Sequence, residues 1–341
     1  MRRAGEGPLL LANLQALRAL AALGVVAFHF GLMPATSLPF AVGASGVDLF
    51  FVLSGFIIAY SSAASPRHFL ANRLIRVLPA YWVVTLIAAL FTLQSLDLAA
   101  AADWLVQSLF YLPHPAGRPP LIFVAWTLVY ELGFYLLFWC ALSMGVRAAP
   151  IACLPLLIAL ALVDVPGVPG PWPLLLEFAM GIGIFVAVER YRPASAVPPW
   201  VGLLAAASGL VMLPVFPSLT GYRPDDYASL VRVVCWGLPS ALIVWGLVTS
   251  ERGGFALRNK LVLLLGAASY SIYLLHSIAV GQLMQLPPVP APLSWALSLA
   301  AIGVTAAISI AFHRIVEVPL LRSLRGLLRE RLPVEQRIIA R

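Results

Sequence analysis

Apolar residues run along this chain in blocks near 20 residues long, broken by short polar or proline-rich stretches, and this block pattern predicts membrane-spanning helices. Ten such blocks stand out, at 9–32, 45–63, 78–96, 121–143, 150–164, 172–188, 199–216, 231–249, 261–283 and 293–313. The fifth is the shortest, and it closes on Pro166. Inside the first block lie Arg18 and His29, eleven residues apart. At about 100° per residue they share one helical face, separated by roughly 16 Å along the axis. A charged group within a span costs at least about 2.5 kcal/mol on insertion scales, so it marks a functional site unless an interface excuses it. Arg18 snorkelling and His29 sitting at the outer interface is the plainer alternative.

Composition agrees with the block pattern: 61% of the 341 residues are hydrophobic, 11% are charged, and the mean hydropathy is +0.94. A soluble domain carries about 25% charged residues, so that class is excluded. The net charge of +8 would suggest nucleic acid in a soluble chain. Here it follows the loops: with the N-terminus in the cytoplasm, eighteen Lys and Arg fall on the inside. Three, Arg118, Arg223 and Arg232, fall outside, and Arg18 lies within the membrane. That asymmetry is the positive-inside pattern for an all-α membrane protein of about ten transmembrane helices with both termini cytoplasmic, and no nucleic-acid partner is called for. A nine-helix arrangement would place Arg190, Arg192, Arg252, Arg258 and Lys260 outside. The N-terminal Met1-Arg2-Arg3 followed by an apolar run resembles a signal peptide, but the run is too long and holds Arg18, which favours an uncleaved first span. Cys140, Cys153 and Cys235 show no metal-binding spacing, and no metal is expected.

Between the spans, Gln94 to Pro120 reads as an interfacial helix followed by a turn at Pro113-His114-Pro115. The polar loop Gly221 to Tyr227 either lines an entrance or is simply solvated. Residues 1–318 read as the membrane domain. Residues 319–341 read as a basic cytoplasmic tail, amphipathic enough to lie on the anionic inner leaflet. The last block is followed by 28 residues.

Further ionisable residues follow the first pair. Asp48, near the external end of the second block, is expected level with His29, where a carboxylate would fix the imidazole tautomer and raise its basicity. Capping of its own helix is the alternative. Arg73 and Arg76 share a helix face and offer two guanidinium forks for phosphate, although ordinary positive-inside arginines have the same spacing. Glu131 and His276 lie mid-block in the fourth and ninth spans, where ionisable groups point into a protein interior. An ion pair of Arg18 with Glu131, with His276 nearby, is one arrangement; a structural role for each is the other. Glu317 is read as a structural salt bridge.

Taken in order, several of these stretches resemble the acyltransferase 3 family of bacterial membrane O-acyltransferases. They are the Arg18 and His29 pair, Gly46-Val47-Asp48-Leu49-Phe50-Phe51-Val52-Leu53-Ser54-Gly55-Phe56, and Arg73-x-x-Arg76 leading into Pro79-Ala80-Tyr81-Trp82. Trp126-Thr127-Leu128-Val129-Tyr130-Glu131-Leu132-Gly133-Phe134-Tyr135, Leu265 to His276 and Val316-Glu317-Val318-Pro319 complete the set. Thr127 stands where the family usually has serine. The resemblance implies a multi-pass protein of the bacterial inner membrane that moves an acyl group, usually acetyl, from acyl-CoA to a hydroxyl of a glycan or similar acceptor. It implies no permanently bound cofactor, with acyl-CoA (acetyl-CoA) as co-substrate. His29, Arg18, Asp48 and Glu131 become the candidate catalytic residues, Arg73 and Arg76 the donor-binding pair, and Tyr135, Ser271 and His276 the lining of the substrate cavity. His29 would act either as general base or as transient acyl carrier. The rival is a transporter or flippase that moves a donor or glycan without chemistry, using the same buried charges as a pathway. Against it, no internal repeat with matching broken helices is visible.

Overall fold

The computed structural model describes residues 11–31, 40–62, 66–94, 96–112, 117–163, 172–190, 197–223 and 229–330, and among these every regular element is helical. The helices are α1 (Ala12–Gly31), α2 (Gly46–Ser61), α3 (Phe69–Thr92), α4 (Leu98–Phe110), α5 (Trp126–Leu142), α6 (Ala149–Leu162), α7 (Leu175–Arg190) and α8 (Pro199–Thr220). They continue as α9 (Leu230–Arg252), α10 (Lys260–Ala267), α11 (Ser269–Leu283) and α12 (Ala291–Leu328). Seven described helical stretches are long and apolar enough to cross a membrane: α1, α2 with its leading turn, α3, α5 with its leading turn, α8, α9 and α12. The bent pair α10 and α11 makes an eighth if counted as one span. Helices α6 and α7 are apolar but shorter. The chain is a multi-pass membrane protein. Leu86, Leu90, Phe91, Leu204, Val211, Leu299, Val304 and Ile308 point outward, as a lipid-facing surface requires.

The amphipathic segment after the third span forms α4, with Asp97 as N-cap accepting from the Ala100 amide at 3.0 Å and Tyr111 closing it in the left-handed conformation (φ 56°). The Pro113-His114-Pro115 turn lies outside the described residues, as does most of the Gly221 to Tyr227 loop. The basic stretch after residue 318 continues α12 in one unbroken helical run as far as Glu330, rather than starting a separate element; residues 331–341 lie outside the described residues.

Three packing devices set the site. Helix α7 runs alongside α2, with Phe51 stacked on Phe178 (4.7 Å between centroids) and Phe56 against Phe185 (6.3 Å). Gly55 and Gly181 permit this approach, since a Cβ on Gly55 would meet the Phe178 carbonyl oxygen at 2.1 Å. The N-terminus of α1 is tied down by Glu251 at the end of α9, which accepts from the amides of Ala12 (2.7 Å) and Asn13 (2.8 Å). Finally, the span formed by α10 and α11 bends by 67° at Ala268 (φ −82°, ψ 1°). Just before the bend, Gly266 lies so close to the α1 backbone that a Cβ would meet the Gln15 carbonyl oxygen at 2.0 Å. The bend carries Ser269, Tyr270 and Tyr273 to the wall of the central cavity.

Candidate active site

The bundle encloses a cavity of about 130 Å³ lined by residues from α1, α2, α3, α5 and α11. Its polar lining is Arg18, Ser54, Arg73, Arg76, Thr127, Glu131, Tyr135, Ser269, Tyr270 and Tyr273, set among apolar side chains such as Phe50, Leu53 and Leu128. Three guanidinium groups therefore face one small space with a single carboxylate, Glu131. Glu131 is already engaged: Tyr135 donates to its Oε1, and Ser54 Oγ donates to the same atom at 3.5 Å. Arg18 donates to Gln15 Oε1 at 3.3 Å, and Arg73 donates to the Ser61 hydroxyl. Neither is paired to a carboxylate among the described residues. Arg76 donates to Glu317 Oε1 at 2.7 Å and keeps a quarter of its side chain exposed. Such a lining favours an anion at the end of the cavity bounded by Arg73 and Arg76.

At the opposite end stand Thr127 and Tyr273, whose hydroxyls are 2.9 Å apart. One helical turn further along α11, about 4.5 Å at 1.5 Å per residue, His276 meets His29 across the helix interface, Nε2 to Nδ1, at 3.3 Å. His29 Nδ1 also donates to the Val25 carbonyl at 2.9 Å. Phe28 and Phe123 set their ring edges against His29, each at 5.0 Å between centroids. The candidate general base thus sits outside the cavity proper, just beyond its Tyr273 wall.

Several expectations need correcting. Asp48 does not reach His29. The turn that leads into α2 packs on α1, where Gly43 lies against Gly24, so α2 starts level with Ala21 to Val25 of α1. Asp48 is accordingly placed below His29, and it is fully buried and gripped by Arg232 through two bonds, Nε to Oδ1 at 3.0 Å and Nη2 to Oδ2 at 2.8 Å. Arg18 and Glu131 share the cavity but form no ion pair, because Tyr135 and Ser54 occupy the carboxylate and Gln15 holds the guanidinium. Ser271 and His276 are not cavity residues. Ser271 points away and donates to Glu317 Oε2 at 2.6 Å, and His276 faces His29. Tyr135, Arg73 and Arg76 do line the cavity, and Glu317 does form a salt bridge.

Residues 11–314 match the model of a family described as an acyltransferase domain. The chain belongs to this acyltransferase family. Two relatives resemble it over most of their length. One is the exopolysaccharide production protein ExoZ of Rhizobium meliloti (strain 1021), 32% identical over 83% of this chain and 91% of the relative. The other is the acyltransferase MdmB of Streptomyces mycarofaciens, 27% identical over 92% of each chain. No solved structure matches. Like other members of the family, the protein is an acyl-transferring enzyme.

Sequence reasoning misses two buried charges in this acyltransferase. Arg232, the second residue of the 231–249 block, is counted with the outside charges, yet it is 1% exposed and stacks its guanidinium on Trp236 at 5.1 Å while holding Asp48. Glu177 of α7 is fully buried near the same pair, its Oε1 3.0 Å from where a Cβ on Gly237 would stand. A signal for Glu177 is present, since it is the lone carboxylate in the apolar run from Leu174 to Val188. Arg232 gives a weaker one, because at the edge of its block it has the place of an interfacial arginine.

Proposed function

We propose that the chain is an inner-membrane O-acyltransferase that moves an acyl group, most simply acetyl, from cytoplasmic acyl-CoA to a hydroxyl of a surface polysaccharide. The loop charges call for ten crossings with both termini in the cytoplasm; the seven long stretches reach that number if the bent pair α10 and α11 is one span, the shorter α6 and α7 cross, and the likewise short α4 stays at the interface. The observation that carries the reading is the polarity of the cavity: guanidiniums at one end, and an imidazole one helical turn beyond the other.

Arg73 and Arg76 open toward the cytoplasmic end and suit the phosphates of CoA. Arg18, deeper along α1, suits the amide carbonyls of the pantetheine arm on its way to the far end. The cavity volume of about 130 Å³ is well under that of a site that swallows a whole cofactor-sized ligand, so the slender thioester arm enters and the nucleotide stays outside. At the far end His29 Nε2 takes the proton of the acceptor hydroxyl as the oxygen bonds to the acyl carbon. The carbon–sulfur bond breaks, and the thiolate of CoA is finally protonated. The exopolysaccharide-related name of one relative supports a glycan acceptor.

Purified protein in nanodiscs, given acetyl-CoA and base-treated, de-O-acylated exopolysaccharide, should release free CoA only when the polysaccharide is present, and should leave acetyl esters on it. A transporter that carries donor or glycan without chemistry releases none, and that result would overturn the proposal.

A further inference from the structure

The proposed mechanism gives no role to one buried titratable group, His276, which is fully enclosed with its ring packed by Tyr273 (5.7 Å) and Phe123 (6.1 Å). Hydrogen-bond chemistry assigns its protons. The Ile272 carbonyl, 3.3 Å from His276 Nδ1, can only accept, so Nδ1 carries the hydrogen and Nε2 is left with its lone pair. The same logic applies to His29, whose Nδ1 faces the Val25 carbonyl at 2.9 Å and must carry its hydrogen there. His276 Nε2 then lies 3.3 Å from a donor, and the Nδ1–H of His29 is shared between a carbonyl and an imidazole lone pair. No other tautomer combination satisfies all three contacts.

Resting on the reading of His29 as the base, we infer that His276 is its positioning residue, a second acceptor that together with the Val25 carbonyl holds the ring in the Nδ1–H tautomer so that Nε2 of His29 presents the lone pair to the acceptor hydroxyl. A carboxylate does the same beside many catalytic imidazoles. Among the described residues no carboxylate is hydrogen-bonded to His29: Asp48 is committed to Arg232, and Glu131 to Tyr135 and Ser54. In the forward step the acceptor O–H bond breaks and an Nε2–H bond forms on His29. The oxygen electron pair bonds to the acyl carbon of the thioester, and the carbon–sulfur pair leaves with sulfur. The imidazolium so formed directs Nδ1–H at two acceptors, Val25 O and His276 Nε2, and that contact strengthens once charged. The proton then passes from Nε2 to solvent or to the departing thiolate. A neutral imidazole suits this apolar, aromatic-walled place better than a carboxylate, which would bring an unpaired charge into the membrane interior.

Two variants and one spectrum test the inference. His276→Phe keeps a ring and loses the acceptor; His276→Gln keeps an acceptor oxygen. With acetyl-CoA and de-O-acylated exopolysaccharide as substrates, His276→Phe should lose roughly 10- to 100-fold in kcat with KM for acetyl-CoA unchanged, and His276→Gln should recover most of that loss. Nitrogen NMR of wild-type protein labelled at the imidazole rings should show His29 protonated at Nδ1 and bare at Nε2. In His276→Phe the Val25 carbonyl should still hold the hydrogen at Nδ1, and the Nδ1 shift should move as its second acceptor is lost. The inference falls if His276→Phe retains wild-type kcat while His29→Ala is inactive, or if wild-type His29 carries its proton on Nε2; the spectrum decides even if a variant fails to fold. Full activity of His29→Ala would overturn the underlying base assignment as well.

Discussion

Two of the long helices each contain a π-helical turn with a buried ion cluster at or immediately before it, yet the two clusters differ in what they leave open. At Val233–Gly237 of α9, Arg232 is closed off: both ends of its ion pair with Asp48 are at most 1% exposed, and Trp236 covers the guanidinium face. At His313–Glu317 of α12, Glu317 is equally buried but its partner Arg76 is 25% exposed and lines the cavity. Glu317 there has two further partners, Ser271 at 2.6 Å and His313 at 2.8 Å. A π turn shifts helix register by one residue and aims side chains inward that a regular helix would direct elsewhere, which is why both bulges coincide with charge. The sealed cluster reads as a clamp joining α2 to α9. The half-open one reads as a support that holds an arginine ready for an anion.

The largest expected effect separates these roles on stability. Arg232→Met leaves Asp48 buried and unpaired, a loss of about 3–5 kcal/mol, seen as a sharp fall in thermal midpoint in detergent or as absence of folded protein. Arg76→Met leaves Glu317 its other two partners and should stay folded with a much smaller shift. Equal destabilisation by the two would break the distinction.

Next in size is donor binding. Arg76→Met and Arg73→Gln should each raise KM for acetyl-CoA by about tenfold, the scale of one lost charge-assisted hydrogen bond, with a smaller change in kcat. Wild-type KM should rise with ionic strength, and less so in these variants. An unchanged KM in Arg73→Gln would remove that residue from donor binding.

Smaller still is Tyr135→Phe, which frees Glu131 from one donor and leaves Ser54. The cost of one neutral partner to a carboxylate is on the order of 1 kcal/mol, and it should appear as an about fivefold loss of activity with little effect on the thermal midpoint. An effect as large as that of Arg232→Met would place Glu131 in the structural class instead.

Much of this is legible in the chain. The span pattern, the common face of Arg18 and His29, the inward position of Glu131 and the paired arginines of α3 follow from periodicity and from the expense of charge in a membrane, whereas Tyr135 is reached only through the family resemblance. What is not legible is depth and partnership. The level of Asp48 depends on where along α1 the turn leading into α2 packs, and that is set by the contact of Gly43 with Gly24, a tertiary fact. The bend at Ala268, which decides that Tyr273 faces the cavity while His276 faces His29, leaves a weak trace in Gly266-Ala267-Ala268-Ser269. Arg232 looks like an interfacial residue because the π turn that buries it has no sequence signature.

The most direct test of the account compares wild-type protein with His29→Ala in the same nanodisc assay, following free CoA from acetyl-CoA in the presence of de-O-acylated exopolysaccharide. The account predicts acceptor-dependent release by wild type and a loss of at least about 100-fold in His29→Ala, with acetyl-CoA still protecting both proteins against thermal unfolding. Wild-type turnover in a folded His29→Ala protein would contradict it.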